Sequence, residues 1–312
     1  MNEEIDLELL RTTARGFLAA PRSATDIAKM GWTGLLVDEA SGGAGWRPVE
    51  AAVIAEELGR AQNATSWNGS TLCAAALFRW GDKDLRDRWL PGLLDGSVGG
   101  AVAVGFAPRA IGAPHVVVAC DDDGLRFIDG SDAVAAQDHA SLDTRRDVRA
   151  LVVPEAQSAT IGHAAAAATI AGLLRVLVAA DALGVLTAAR ERLVEYLRSR
   201  DAFGQPVASF QAIQHRLVDL LVFESRARAI IARAAREAAE DGTAFPRSAA
   251  VAHAFVAGGV VPAVDECVQL SGAIGFTWEY PLHHELRRAL ADTTLAGTAR
   301  LSRSVVAEEG GW

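Results

Sequence analysis

The stretch YLRSRDAFGQPVASFQAIQHRLVDL, residues 196–220, carries an arginine, a phenylalanine–glycine pair and a phenylalanine–glutamine pair at fixed separations, and it decides the fold. Apolar residues run at helical spacing up to Leu197 and again from Ile213, so the middle is a turn between two helices. Gly204 lets the chain reverse sharply there. Arg200, at a helix end, can present a forked hydrogen-bond donor. Phe203 and Phe210 offer apolar faces beside it, and Gln211 both donates and accepts hydrogen bonds in one plane. Taken singly, such residues also occur in helical bundles that bind nothing.

Outward from this turn the pattern stays helical in both directions. Val176, Ala180, Leu183, Leu186, Leu193 and Leu197 share one face, and Ile213, Leu217, Leu220 and Leu221 share another. The segment from Ser248 to Leu270 is apolar on nearly all sides, which predicts a central helix. With turns near Gly204, Asp241 to Pro246 and Gly272 to Pro281, residues 164–312 read as a four-helix bundle. AAAAATIAG, residues 164–172, reads as a hinge before it. Residues 97–156 break into strand-like pieces, AVAV, HVVVAC, LRFIDG and RALVV, a shortened β domain. Residues 1–96 are helical around the glycine-rich DEASGGAGW at 38–46. The expected fold is therefore mainly α with a small β domain.

Composition narrows the function classes. The 312 residues are 50% hydrophobic, enough for a large core. A net charge of -9 comes from 39 acidic against 30 basic residues, and the basic ones form no run, which argues against nucleic acid. Cys73, Cys120 and Cys267 lack zinc-site spacing and are odd in number, so a reducing cytoplasm fits. The acidic start MNEEIDLELL is unlike a secretory signal, and no apolar run reaches the ~18 residues of a membrane span. No membrane is expected.

The order of helices, strands and bundle resembles the acyl-CoA dehydrogenase family over nearly the whole chain. GWTGLLVDEASGGAG with EAAVIAEELGRA, and LFRWGDKDLRDRWLPGLLDGS, are similar to its N-terminal segments. More specific are residues 196–220 and QLSGAIGFTWEYPLHHELRRA at 269–289. The resemblance implies FAD as cofactor and assigns its adenine and pyrophosphate end to Arg200, Phe203, Phe210, Gln211, Gln269 and Gly272. The family's second glycine is Ala273 here.

The family removes an α-proton from an acyl thioester with a glutamate while hydride passes to the flavin. One group places that glutamate where this chain has Ala296; the other places it before an arginine, where this chain has Leu174 before Arg175. Loss of a general base costs about 10² to 10⁴ in rate. The strand GGAVAVGFAPRAIGAPHVVV also lacks the family's threonine and acidic turn, and no tryptophan stands between Trp89 and Trp278. In the family, one subunit holds the flavin ring, substrate and base, while its neighbour reaches the adenosine end. The resemblance thus points to the small, non-base-bearing subunits of heteromeric α2β2 acyl-CoA dehydrogenases of bacterial steroid catabolism. It implies a larger partner subunit sharing FAD, an acyl-CoA substrate and an electron-transferring flavoprotein as acceptor. Two alternatives stay open: a homo-oligomeric enzyme with a relocated base, and a non-catalytic scaffold.

His283, His284 and Asp292 are the candidates for a relocated acid or base, with a surface or structural role as the commoner outcome for each. Asp181, buried by pattern, is expected to pair with an arginine, for which Arg216 and Arg228 are available. Arg300 is expected in a surface or interface salt bridge.

Overall fold

Asp6 opens the first helix, its Oδ1 accepting from the backbone N–H groups of Glu8 at 2.9 Å and Leu9 at 3.1 Å. The computed structural model describes residues 6–105, 107–129, 141–153 and 158–309. Residues 1–5, Phe106, Gly130 and Pro154, which fall in segments interpreted above, lie outside them. The N-terminal helices are α1 (Leu7–Phe17), α2 (Ala24–Lys29), α3 (Pro48–Arg60), α4 (Trp67–Trp80) and α5 (Lys83–Asp95). Between α2 and α3 the glycine-rich stretch folds back as a small antiparallel pair, β1 (Leu36–Val37) with β2 (Gly45–Trp46).

Six further strands follow: β3 (Gly100–Val104), β4 (Arg109–Ile111), β5 (Val116–Asp121), β6 (Gly124–Asp129), β7 (Val148–Ala150) and β8 (Ser158–Gly162). Strand β3 runs parallel to β5, and β5–β6–β8 continue antiparallel, while β4 leaves to pair with β7. Period-2 alternation divides the sheet's two faces. Val102, Val104, Val116, Val118, Leu125 and Phe127 join the main core; Ala101, Ala103, Ala110, Val117, Ala119 and Ile128 form a smaller one with Leu151.

The bundle consists of α6 (Ala164–Ser199), α7 (Gln211–Ala239), α8 (Phe245–Ser271) and α9 (Leu282–Leu295), with α10 (Ala299–Glu309) packed on α8. At 36 residues α6 is about 54 Å long. It is the true centre: residues Ile170 to Thr187 are buried without interruption. That corrects two expectations. AAAAATIAG is no hinge but the first turns of α6, because alanine favours helix and small side chains fit against β8 and α8. And α8 is less central than its composition suggested, since Val251, Gly258 and Pro262 face outward. Composition also understated the apolar segments: Ala164–Ser199 and Phe245–Phe276 are both long and apolar enough to cross a membrane. The apolar window of the first is 94% buried inside the protein, as a core helix requires.

Helices α3 and α6 touch backbone to backbone. A Cβ on Gly59 would stand 2.0 Å from the carbonyl oxygen of Asp181, and one on Gly184 would stand 1.8 Å from that of Glu56. These two glycines set the distance between the N-terminal helices and the bundle.

Candidate functional site

The chain leaves α6 through a tight hairpin, β9 (Asp201–Ala202) with β10 (Gln205–Pro206), before α7 begins at Gln211. The Val207 N–H closes the turn on the Arg200 carbonyl at 2.8 Å. Arg200 is exposed and has no ion pair among the described residues. Phe203 adopts φ 54° and is 97% exposed, its ring edge-on to Phe210 at 6.3 Å. A left-handed, solvent-exposed phenylalanine is disfavoured in backbone and side chain alike, and such strain gathers at binding sites.

Gln269 and Gly272 close α8. Antiparallel packing of α7 on α8 is fixed by the Arg216 Nη2 donation to Glu266 Oε2 at 2.6 Å. Gln211 lies five residues from that pair and Gln269 three, about 7.5 and 4.5 Å along their helices, so both stand at one end of the bundle. Gly272 has φ 67° and ψ -145°, a conformation open only to glycine, and a Cβ there would meet nothing within 4 Å. The glycine therefore answers the backbone and not crowding within the chain. Phe276 and Trp278, 73% and 69% exposed, follow directly on Gly272; the aromatic run FTWEY was their only signal in the sequence. An un-neutralised guanidinium, bare aromatic faces and two open amides make a donor set that fits a dinucleotide's pyrophosphate and base.

The two positions for a catalytic glutamate are closed. Ala296 is fully buried and Leu174 is 5% exposed. Leu174 lines a cavity of about 30 Å³ with Val178, Leu295, Ala110 and Ile111, room for a single water and not for an acyl chain.

Asp181 and Asp292 belong elsewhere. Arg288 donates to both oxygens of Asp181, at 3.0 and 2.6 Å, and to the Asn63 carbonyl at 2.6 Å. Arg146 donates to Asp143 at 2.7 Å and Asp292 at 2.5 Å. All five side chains are buried. Arg216 and Arg228, the partners expected for Asp181, instead bind Glu266, and Glu56 with Glu224. Three carboxylates against two guanidiniums leave one excess negative charge, which burial disfavours. Asp292 is accordingly pushed up to about 8 by burial, with Asp181 beside it opposing the pull of Arg146, while Arg288 and Arg146 hold Asp181 low. This cluster ties residues 143–146 to the bundle and does not reach the cavity below Leu174.

His283 and His284 sit in the first turn of α9, the penultimate helix, their rings tilted against each other with centroids 3.9 Å apart. His283 packs edge-on against Trp278 at 4.4 Å, and His284 Nδ1 lies 3.1 Å from Thr144 Oγ1. Partial burial and His283 keep His284 below the usual histidine range. Arg300 is exposed, with no ion pair among the described residues. Sequence reasoning missed Glu285, fully buried beside Arg192 at 3.2 Å and raised by burial.

Comparison with known proteins bears on the whole chain. The acyl-CoA dehydrogenase N-terminal domain matches residues 6–97, and the acyl-CoA dehydrogenase C-terminal domain matches residues 162–311. The chain belongs to the acyl-CoA dehydrogenase family. Acyl-CoA dehydrogenase IpdE2 of Mycolicibacterium smegmatis is 32% identical over 277 residues, 87% of this chain and 82% of the relative. Among solved structures, the ChsE4-ChsE5 complex from Mycobacterium tuberculosis superposes with a TM-score of 0.84 at 19% identity, covering 100% of this chain and 99% of that one. The Tcur3481-Tcur3483 steroid acyl-CoA dehydrogenase does so at 0.83 and 24% identity, over 98% and 99%. Both structural likenesses establish the acyl-CoA dehydrogenase fold.

Proposed function

We propose that this chain is the non-base-bearing subunit of a heteromeric, FAD-dependent acyl-CoA dehydrogenase. It lends the adenine-side contacts of FAD to a longer chain that supplies the flavin pocket and the glutamate. The observation that carries this reading is the contrast between two regions. Where a base and acyl group would sit, Leu174 and Ala296 are buried and leave a cavity of only about 30 Å³; where the far end of the dinucleotide would sit, Arg200 is charged, exposed and without an ion pair among the described residues. Arg200 would hold the pyrophosphate, Phe203 and Phe210 would flank it, and Gln211, Gln269 and the Gly272 backbone would meet the adenosine. FAD would supply the hydride acceptor, within the partner's site.

A bare apolar stripe supports association with another chain. Val218, Leu221 and Val222, on one face of α7 at i, i+3 and i+4, are all more than a third exposed. Likeness to a steroid acyl-CoA dehydrogenase and to a two-protein complex favours an α2β2 assembly acting on a steroid-derived acyl-CoA, with an electron-transferring flavoprotein as acceptor. Co-expression with the larger chain tests the proposal. A yellow complex with one FAD per unlike pair is expected, and Arg200→Ala should weaken FAD retention by about 10- to 100-fold, the worth of a charged hydrogen bond. A homo-oligomer of this chain alone, carrying stoichiometric FAD and oxidising an acyl-CoA, defeats it.

A further inference from the structure

Arg175 has no charged partner among the described residues. It is 5% exposed, makes no ion pair or side-chain hydrogen bond among the described residues, and its Nε is buried without an acceptor. A desolvated guanidinium without a counter-ion is strongly disfavoured, and burial depresses its pKa accordingly. The other titratable groups around it do not help. The Cys120 thiol is raised by burial and stays protonated. His253, 1% exposed, is held uncharged, down to about 4, by burial and by Arg175 itself; its Nδ1 lies 2.9 Å from Ser302 Oγ. Asp121 is engaged by Arg126 Nε at 2.7 Å and by the Gly124 N–H at 3.0 Å. Asp122 and Glu308 are exposed at the rim.

Arg175 lines a cleft of about 620 Å³ between the ends of β3 and β5, the first turns of α6 and the outer face of α10. Val104, Ala167, Ala168, Ala171, Leu301 and Val305 supply its apolar wall, and Asp121, Asp122, Ser304 and Glu308 add polar groups to its lining. An open cleft of that size, with an apolar floor and a buried cation lining it, has the make-up of a small-molecule site. A single cation, with carboxylates at the rim, matches a monoanion better than a pyrophosphate.

We propose that this cleft binds an apolar monocarboxylate, its carboxylate held by Arg175 and its aliphatic body lying along the alanine face of α6. The site belongs to this chain alone and stands apart from the FAD edge at Arg200, so each reading can fail without the other. Occupancy completes the charge balance that the described residues leave open.

The test is titration calorimetry and thermal unfolding of the full chain, alone or in its complex, with decanoate, decan-1-ol and decyl phosphate. Decanoate is expected to bind and raise the midpoint, with decanol at least tenfold weaker and decyl phosphate weaker than decanoate. Arg175→Met should weaken decanoate at least tenfold while raising the ligand-free midpoint, because the buried charge is gone. Should that variant misfold, Ala168→Phe, which fills the cleft and keeps the charge, must lose decanoate binding. Equal binding of decanoate and decanol, unchanged decanoate affinity in either variant, or displacement of decanoate by FAD overturns the proposal.

Discussion

At the residue scale, the cluster of Asp143, Arg146, Asp181, Arg288 and Asp292 carries the clearest pH dependence. Asp292 is raised from 3.8 to about 8, so between those values the folded chain keeps a proton that the unfolded chain releases. Stability contributed by that proton is full below about pH 4 and is lost as pH rises toward 8. His253 acts oppositely: lowered from 6.5 to about 4, it costs stability as pH falls through that window. Above pH 6.5 the slope from Asp292 therefore dominates this pair. Urea unfolding should show a loss of ~1–2 kcal/mol between pH 6.5 and 8, and Asp292→Asn should flatten it. An unchanged slope in that variant would place the proton on another carboxylate. The burial of Asp181 and its need for an arginine were legible beforehand, but not which arginine, because Arg288 meets it from 107 residues away and only the folded chain chooses it over Arg216 or Arg228.

At the element scale, the contact of α3 with α6 rests on Gly59 and Gly184. Gly184→Ala forces a methyl group into the Glu56 carbonyl and should destabilise the chain by ~1–3 kcal/mol, visible as a lower Tm. Gly16→Ala, where a Cβ meets nothing within 4 Å, is the control and should leave Tm unchanged or slightly raised. The helices were readable because a 3.6-residue apolar period persists over many turns, and HVVVAC and LRFIDG because they alternate or run apolar long enough. Strand β4, three residues long, is too short to show a period, and β8 presents Ala159 and Thr160 to solvent. The candidate cofactor edge was legible as a motif around Arg200, whereas Arg175 was passed over as the neighbour of Leu174, a position the family resemblance assigns to a base. Its isolation appears only once every nearby carboxylate is seen to be engaged or remote.

At the scale of the whole molecule, α7 is an outer helix with a bare stripe, and a second chain should cover it. Val218→Glu with Leu221→Glu should abolish recovery of the larger subunit on co-purification while leaving helicity intact; full recovery would move the interface off α7. The tight packing around Leu174 has an evolutionary corollary. Leu174, Val178 and Leu295 leave only a small cavity here, and under the proposed function their packing acts as a ratchet. Leu174→Glu would not revive turnover but would strand an ionisable group in hydrocarbon, at several kcal/mol. Its unfolding midpoint should drop steeply with no gain of activity. Under the proposed function, return to a base-bearing catalyst would require hollowing out three walls at once, each step harmful before the last.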